Sequence, residues 1–268
     1  KYINLGLLLM KFKAIKLPSK KKIIDYFKSH KLDFFIKPSK KRNKKVNEMQ
    51  VSEAYKPELN DLYLLHQYIL KYKRTTVLEM GTGWSSYIFA HALNINRGKY
   101  HYDVKKLRRN NPFELHCVDD VKKYLKISKQ RLGNLKKNSF FYFSEVEMTK
   151  FNGRVCTQYK KLPLINPDLI YLDGPDQFNV KKNVNGISTN HKDMMPMSCD
   201  ILKIEHFLTP GTIIISDGRA ANSRFLKCNL QRNWYYFYDE LNDQHLFYLN
   251  EKPLGIYSAK QLDYYYKS

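Results

Sequence analysis

The sequence is poor in cysteine and in long apolar runs. Its 268 residues include four cysteines, none of them spaced as a CxxC pair: Cys117, Cys156, Cys199 and Cys228. This spacing matches neither a zinc site nor a disulfide framework, and it favours a reducing compartment. The apolar stretch INLGLLLM near the start is much shorter than the roughly 18 residues of a membrane span, and no small-residue cleavage pattern follows it. We therefore expect a soluble, cytoplasmic protein with no membrane span.

Acidic residues are also scarce. The chain has 25 Asp and Glu against 47 Lys and Arg, a formal net charge of +22. A basic excess attracts polyanions such as RNA or an anionic membrane surface. The excess is mostly Lys and accompanies abundant Asn, Ile and Tyr, which AT-rich codon usage also produces. The charge therefore leaves nucleic acid open as a partner without favouring it.

The basic residues dominate the first 50 positions. KKKIIDYFKSH offers one short amphipathic helix, and KPSKKRNKKVNE is a charge-repelling stretch. We interpret residues 1–50 as a basic N-terminal arm with a helix, packed loosely on a folded domain over 51–268.

Within that domain, strand and helix patterns alternate. Short apolar runs predict five strands, at 75–80, 114–119, 138–146, 167–173 and 210–217, and stretches of helical periodicity lie between them. An aromatic-rich hairpin follows at 233–250. Such alternation is typical of a parallel sheet covered by helices on both faces. We predict an α/β, Rossmann-like doubly wound sheet of seven strands, mostly parallel, with a C-terminal antiparallel hairpin.

The turn GTGWSS follows the first of these strands. Gly81 and Gly83 allow a tight turn and remove Cβ atoms that would keep a ligand from the backbone, while Ser85 or Ser86 is available to cap the next helix. In a doubly wound sheet this turn borders the ligand crevice. The turn therefore predicts a nucleotide-like ligand. Dinucleotide-binding proteins have such a turn with the pattern GxGxxG, and a second family has an acid two residues before the first glycine, which is the position of Glu79 in this chain.

The stretch VLEMGTGWSS resembles motif I of class I S-adenosylmethionine-dependent methyltransferases, with Ser85 where a third glycine is common. HCVDD, DLIYLDGPD and LTPGTIIISDG resemble later motifs of that family in the same order. The resemblance implies S-adenosylmethionine as cofactor. It also implies that Asp119 binds the ribose hydroxyls, with the remaining contacts to the cofactor made by Glu79, Gly81, Thr82, Gly83, Ser85, Ser86 and Asp173.

Two further acids end strands of the predicted sheet. Asp173 and Asp217 follow apolar runs, and carboxylates at such strand ends face the ligand crevice. We predict both as catalytic residues, acting as a base plus a substrate anchor or as ligands of a divalent metal. Catechol-type O-methyltransferases place Asn after the second acid, whereas this chain has Gly218, which speaks against the metal.

The acceptor is predicted from what surrounds these acids. The DPPY or NPPY tetrad of amino-methylating nucleic-acid enzymes is absent, which favours O-methylation of a small-molecule or carbohydrate-like acceptor. Arg219 and Asn222 follow the fifth strand as candidate substrate-binding residues, and an arginine fork suits an anionic acceptor. The alternatives are an RNA-directed methyltransferase and a non-catalytic protein that binds the cofactor.

Overall fold

Two sheets organise the chain. A computed structural model describes residues 12–36 and 58–266, and the side chain of Asp217 lies outside this description. The larger sheet has seven strands in the order β3-β2-β1-β6-β8-β10-β9, and the smaller has the order β5-β4-β7. The ten strands are β1 (Thr76–Met80), β2 (Glu114–Asp119), β3 (Ser139–Phe143), β4 (Val146–Phe151), β5 (Arg154–Tyr159), β6 (Leu169–Leu172), β7 (Val180–Lys181), β8 (Ile213–Asp217), β9 (Trp234–Asp239) and β10 (Gln244–Leu249).

The seven-stranded sheet is parallel except at one edge. Strand β10 runs antiparallel to both β8 and β9, whereas β1, β2, β3, β6 and β8 pair in parallel. The central strands are buried along their whole length because helices or the smaller sheet cover both faces. The predicted seven-stranded, doubly wound sheet with a terminal hairpin is confirmed.

Seven α-helices accompany the strands in the described part of the chain. They are α1 (Lys20–Ser29), α2 (Leu59–Lys71), α3 (Ser85–Val104), α4 (Lys122–Arg131), α5 (Asp200–Ile204), α6 (Ala220–Asn229) and α7 (Ile256–Tyr266). Apolar residues of α1, α2 and α3 form one core with one face of the sheet. The opposite face packs against β4, β5, α5 and α6. None of the described helices is both long and apolar enough to cross a membrane.

The small sheet was not predicted, although its sequence carries a signal for it. Strands β4 and β5 pair antiparallel across Asn152 and Gly153, which have φ values of 47° and 78°. Asn-Gly is the strongest short-range signal for a two-residue hairpin, because both positions need positive φ. Helix α7 was not predicted either.

The N-terminal segment is an integral part of the core. Ile23, Phe27, Leu32 and Phe35 are buried against α2. The Tyr26 hydroxyl also lies 2.5 Å from Nδ1 of the buried His66 in α2. The expectation of loose packing is therefore wrong for residues 12–36. The boundary at residue 50 lies outside the described residues and stays a prediction.

Candidate active site

The candidate site lies at the carboxyl ends of β1, β2, β6 and β8. From β1 the chain winds outward through β2 to β3, then returns to the other side of β1 as β6 and β8. The winding direction therefore changes between β1 and β6, the position where doubly wound sheets bind ligands. Glu79, Asp119 and Asp173 all lie at or next to these strand ends.

The two glycines of the turn after β1 have different roles. Gly81 has a φ of +90°, and a Cβ built on it would lie 2.7 Å from the backbone nitrogen of Gly174, in the turn after β6. A Cβ on Gly83 would meet only the Ser85 hydroxyl, at 3.7 Å. Gly81 therefore allows two turns to touch, whereas Gly83 leaves open space on the turn.

This difference gives a test of which glycine serves a ligand. We expect Gly83→Ala to keep the melting temperature but weaken cofactor binding, because the added methyl group enters the open space and not the fold. Gly81→Ala is the matched comparison, and it should lower the melting temperature because of the backbone overlap and the positive φ. Thermal denaturation and calorimetric titration measure the two effects. Unchanged affinity in the Gly83 variant would mean that the ligand lies elsewhere.

Glu79 is fully buried beneath the turn. Its two carboxylate oxygens each accept a hydrogen bond of 2.5 Å, from the hydroxyls of Ser85 and Ser86. Burial raises the pKa of Glu79 to about 8, and these hydrogen bonds offset part of the rise. Helix α3 begins at Ser85, and its N-cap Trp84 makes no side-chain cap bond, so the predicted capping role of the serines is wrong. Glu79, Ser85 and Ser86 hold the turn from below.

Asp119 joins the turn to the tip of β2. One carboxylate oxygen accepts hydrogen bonds of 2.7 Å from both the backbone nitrogen and the hydroxyl of Thr82. The other accepts one of 2.7 Å from the backbone nitrogen of Val121. A carboxylate offers about four lone-pair sites, so one remains for a ligand hydroxyl and a second is freed if the Thr82 hydroxyl rotates away. Burial raises the pKa of Asp119.

The neighbouring Asp120 is a site residue that the sequence analysis missed. It is buried, and one of its carboxylate oxygens has no hydrogen-bond partner. The other accepts from the backbone nitrogen of Asp176 at 3.3 Å, and Asn179 donates to the Asp120 carbonyl at 2.9 Å. Burial and the charge of Asp119 raise the pKa of Asp120 to about 7. Helix α4 begins at Lys122 with Val121 as N-cap, so Asp120 does not cap this helix.

Asp173 comes directly after β6 in the crevice. Burial raises the pKa of Asp173 to about 6, and the Arg219 guanidinium lowers it. The Asp173 side chain is exposed to solvent, which limits the increase in its pKa. The upward direction of this change, and not its size, therefore bears on the chemistry of Asp173. Strands β6 and β8 are neighbours with Leu172 opposite Ser216, which places the next residues, Asp173 and Asp217, at the same sheet edge. The approach of their carboxylates stays a prediction, because the Asp217 side chain is not described.

The two predicted substrate-binding residues are engaged with the protein itself. Arg219 donates to the backbone carbonyls of Asp173 at 3.1 Å and Pro175 at 3.0 Å. Asn222 is buried, and its amide both accepts from and donates to the backbone of Ser198. Arg219 therefore positions the Asp173 turn, and nothing in this geometry supports a substrate contact by Asn222.

An acid from a distant part of the chain, Asp61, is within electrostatic reach of both Asp173 and Asp243. Asp61 lies in the first turn of α2, and Asp243 precedes β10. Burial and the charges of Glu58, Asp173 and Asp243 together raise the pKa of Asp61 to about 7. No local pattern in the sequence indicates that these residues meet. Within residues 12–36 and 58–266, no three His, Cys, Asp or Glu side chains form a group that could hold a metal, and a metal shared with the undescribed Asp217 side chain stays a prediction.

Comparison with known proteins gives only distant likenesses. No family model matches the chain, and no curated protein matches it by sequence. It is similar to the solved structure of an O-methyltransferase from Bacillus cereus in complex with SAH, at 11% identity and a TM-score of 0.40, over 88% of this chain and 94% of that one. A methyltransferase from Geobacter sulfurreducens gives 9% identity, a TM-score of 0.41 and coverage of 88% and 93%.

A third similar structure is an O-methyltransferase from Streptomyces achromogenes that is involved in tomaymycin synthesis, in complex with SAM. It gives 13% identity, a TM-score of 0.37 and coverage of 92% and 93%. At these values the likenesses carry no argument about activity. The chain's own strand order and hairpin confirm the predicted fold, a Rossmann-like, mostly parallel sheet of seven strands with a C-terminal antiparallel hairpin.

Proposed function

We propose that this protein is an enzyme that transfers a methyl group from S-adenosylmethionine to a hydroxyl group of a small-molecule or carbohydrate-like acceptor. The observation that carries the proposal is the link between Asp119 at the tip of β2 and Thr82 in the glycine turn, at the point where the winding of the sheet reverses. A carboxylate and a glycine with open space beside it, Gly83, therefore lie at the position where such a sheet binds its ligand.

The residues present fit such a cofactor. When bound, S-adenosylmethionine supplies a methyl group on a positively charged sulfonium. Asp119, Asp120 and Asp173 surround the crevice with carboxylates, which suits a cationic ligand, and the free oxygen of Asp120 is an unused buried acceptor. Gly83 leaves room beside the turn. Asp119 would bind a ribose hydroxyl through its remaining lone pairs, as a charge-assisted hydrogen bond.

Asp173 is proposed as the general base. An acceptor hydroxyl must lose its proton as the new bond to carbon forms, and a carboxylate within hydrogen-bond reach takes that proton. A pKa raised toward 6 leaves Asp173 ionised at neutral pH while making it a stronger base than an ordinary Asp. Arg219 holds the turn that carries Asp173, which keeps this carboxylate in place.

The acceptor is proposed to be uncharged or cationic. Asp61 is within electrostatic reach of both Asp173 and Asp243, which adds negative charge to this side of the site, and Arg219 already donates to backbone carbonyls. An anionic acceptor would meet carboxylates where it needs a cation. The same charges disfavour an RNA acceptor, since an RNA enzyme needs a basic track that leads into the cleft.

Calorimetric titration with S-adenosylmethionine tests the proposal. We expect measurable binding by the wild type, and a loss of about 1.5 to 3 kcal/mol in binding free energy for Asp119→Ala, the range for hydrogen bonds to a charged group. Undiminished affinity in this variant would remove Asp119 from the site. Binding without turnover across a panel of hydroxyl acceptors would favour the non-catalytic alternative.

Thr82→Ala is the matched control, because Asp119 also holds the turn. This change removes one donor to Asp119, keeps the carboxylate and frees a lone pair. We expect equal or tighter binding. A loss as large as that of Asp119→Ala would show that Asp119 acts by holding the turn.

A further inference from the structure

Five large apolar side chains project into solvent at the end of the sheet opposite the candidate site. They belong to the loop before β6, the short 3-10 helix after α5 and the segment that leads into α7, and all line one groove of about 680 Å³ that reaches Thr76 at the beginning of β1. Their exposed fractions are high: Leu164 102%, Phe207 77%, Leu254 65%, Ile256 65% and Tyr257 57%. Contiguous exposure of this kind marks an interaction surface, whereas single exposed apolar residues do not.

The charged residues around this groove are basic. Arg108 lines it and lies over the Tyr257 ring at 5.2 Å. Lys203, Lys252 and Lys260 are exposed and flank the residues that line it. We call the five apolar side chains together with these four basic residues the apolar–basic face.

The nearby carboxylates do not neutralise the apolar–basic face. Glu205 is buried and accepts hydrogen bonds from the backbone of Gln231 and from the Trp234 ring nitrogen. Glu251 pairs with Arg232 at 2.5 Å. Both acids are thus engaged inside the fold, and neither forms an ion pair with Arg108 or with these lysines.

We propose that the apolar–basic face docks this protein on an anionic membrane surface. Leu, Ile and Phe side chains that project from neighbouring segments can enter the boundary between headgroups and acyl chains, while surrounding Lys and Arg bind anionic headgroups. A second copy of the chain fits less well, because pairing the face with itself would bring two sets of like charges together. RNA also fits less well, since aliphatic side chains offer no stacking surface for bases.

The docked orientation keeps the candidate crevice open. The groove lies at the amino ends of β1 and its neighbours, and the crevice lies at their carboxyl ends. A membrane at one end leaves the other facing solvent. The proposal therefore concerns where the protein works and does not depend on the proposed methyl transfer.

Vesicle sedimentation with the full chain tests this inference. We expect binding to vesicles of phosphatidylcholine containing one third phosphatidylserine, much weaker binding to phosphatidylcholine alone, and a decrease with added salt. The double variant Leu164→Ser with Phe207→Ser should lose about tenfold in partitioning, because two inserting side chains are gone. Leu241→Ser is the matched control: Leu241 is 96% exposed in the turn between β9 and β10, and its loss should change nothing.

Two variants that remove positive charge from different surfaces complete the test. Lys252→Gln with Lys260→Gln should weaken binding to the anionic vesicles, and Lys21→Gln with Lys28→Gln, which removes two exposed charges from α1, should weaken it far less. Equal loss for both would indicate attraction by net charge alone and would overturn the docking face. So would a dimer in analytical ultracentrifugation that the Leu164 and Phe207 changes dissociate, which would assign the face to a second copy.

Discussion

Asp173→Asn is expected to lower turnover by about 10²–10⁴-fold, the usual contribution of general-base help, while S-adenosylmethionine affinity falls much less. The amide keeps the size of the carboxylate but takes up no proton. Asp173 follows β6 at the crevice, and Arg219 holds its turn through two backbone carbonyls. Single-turnover kinetics with calorimetry of the same variant separates the loss of chemistry from any loss of binding.

Asp176→Asn is the matched control. Asp176 lies three residues further along the same loop, is exposed, and accepts from the backbone of Phe178 at 2.9 Å. We expect it to keep most of the turnover, because we assign it no proton transfer. Equal losses in the two variants would point to general electrostatics instead of a base.

The pH dependence of turnover is an independent test of Asp173 as the base. A base acts in its ionised form, and the pKa of Asp173 is raised above that of an ordinary Asp. Turnover of the wild type should therefore rise with increasing pH, with a midpoint above the usual Asp pKa of about 4, and level off at higher pH. A chelator distinguishes the metal version: a loss of turnover restored by magnesium supports a site with Asp217, and indifference to chelation supports a metal-free base.

Phe27→Ala is expected to destabilise the whole fold by about 3–5 kcal/mol. Phe27 is 0% exposed and lies in α1, where it packs into the core that α2, α3 and the sheet share. The variant leaves a cavity between the N-terminal segment and the rest of the domain. Urea denaturation followed by circular dichroism measures the change in the free energy of unfolding.

Phe34→Ala is the corresponding change at a residue that is 39% exposed, and its cost should be less than half as large. Both variants should still unfold in one transition, since the segment and the sheet belong to one core. Separate transitions for α1 and for the remainder would restore the interpretation of the N-terminal segment as an arm.

The sequence by itself determined the strands of the seven-stranded sheet, their alternation with helices, and the acid-and-glycine turn. These features are local: TVLEM and LIYL are short, mostly apolar runs that are buried at every position because both faces of a parallel sheet are covered, and Glu79 and Gly81 stand at the end of one such run. The hairpin of β4 and β5 also has a local signal, since Asn152 and Gly153 both take the positive φ that a two-residue turn requires.

The tertiary structure alone decided which groups meet. Local periodicity does not tell that Gly81 touches Gly174, that Ser85 and Ser86 bind Glu79 instead of capping α3, or that Asp61 comes close to Asp173. Each of these contacts depends on how strands and helices far apart in the chain pack together. The docking of α1 is of the same kind: a short amphipathic helix shows that one of its faces is apolar, and only the fold supplies the surface that covers it.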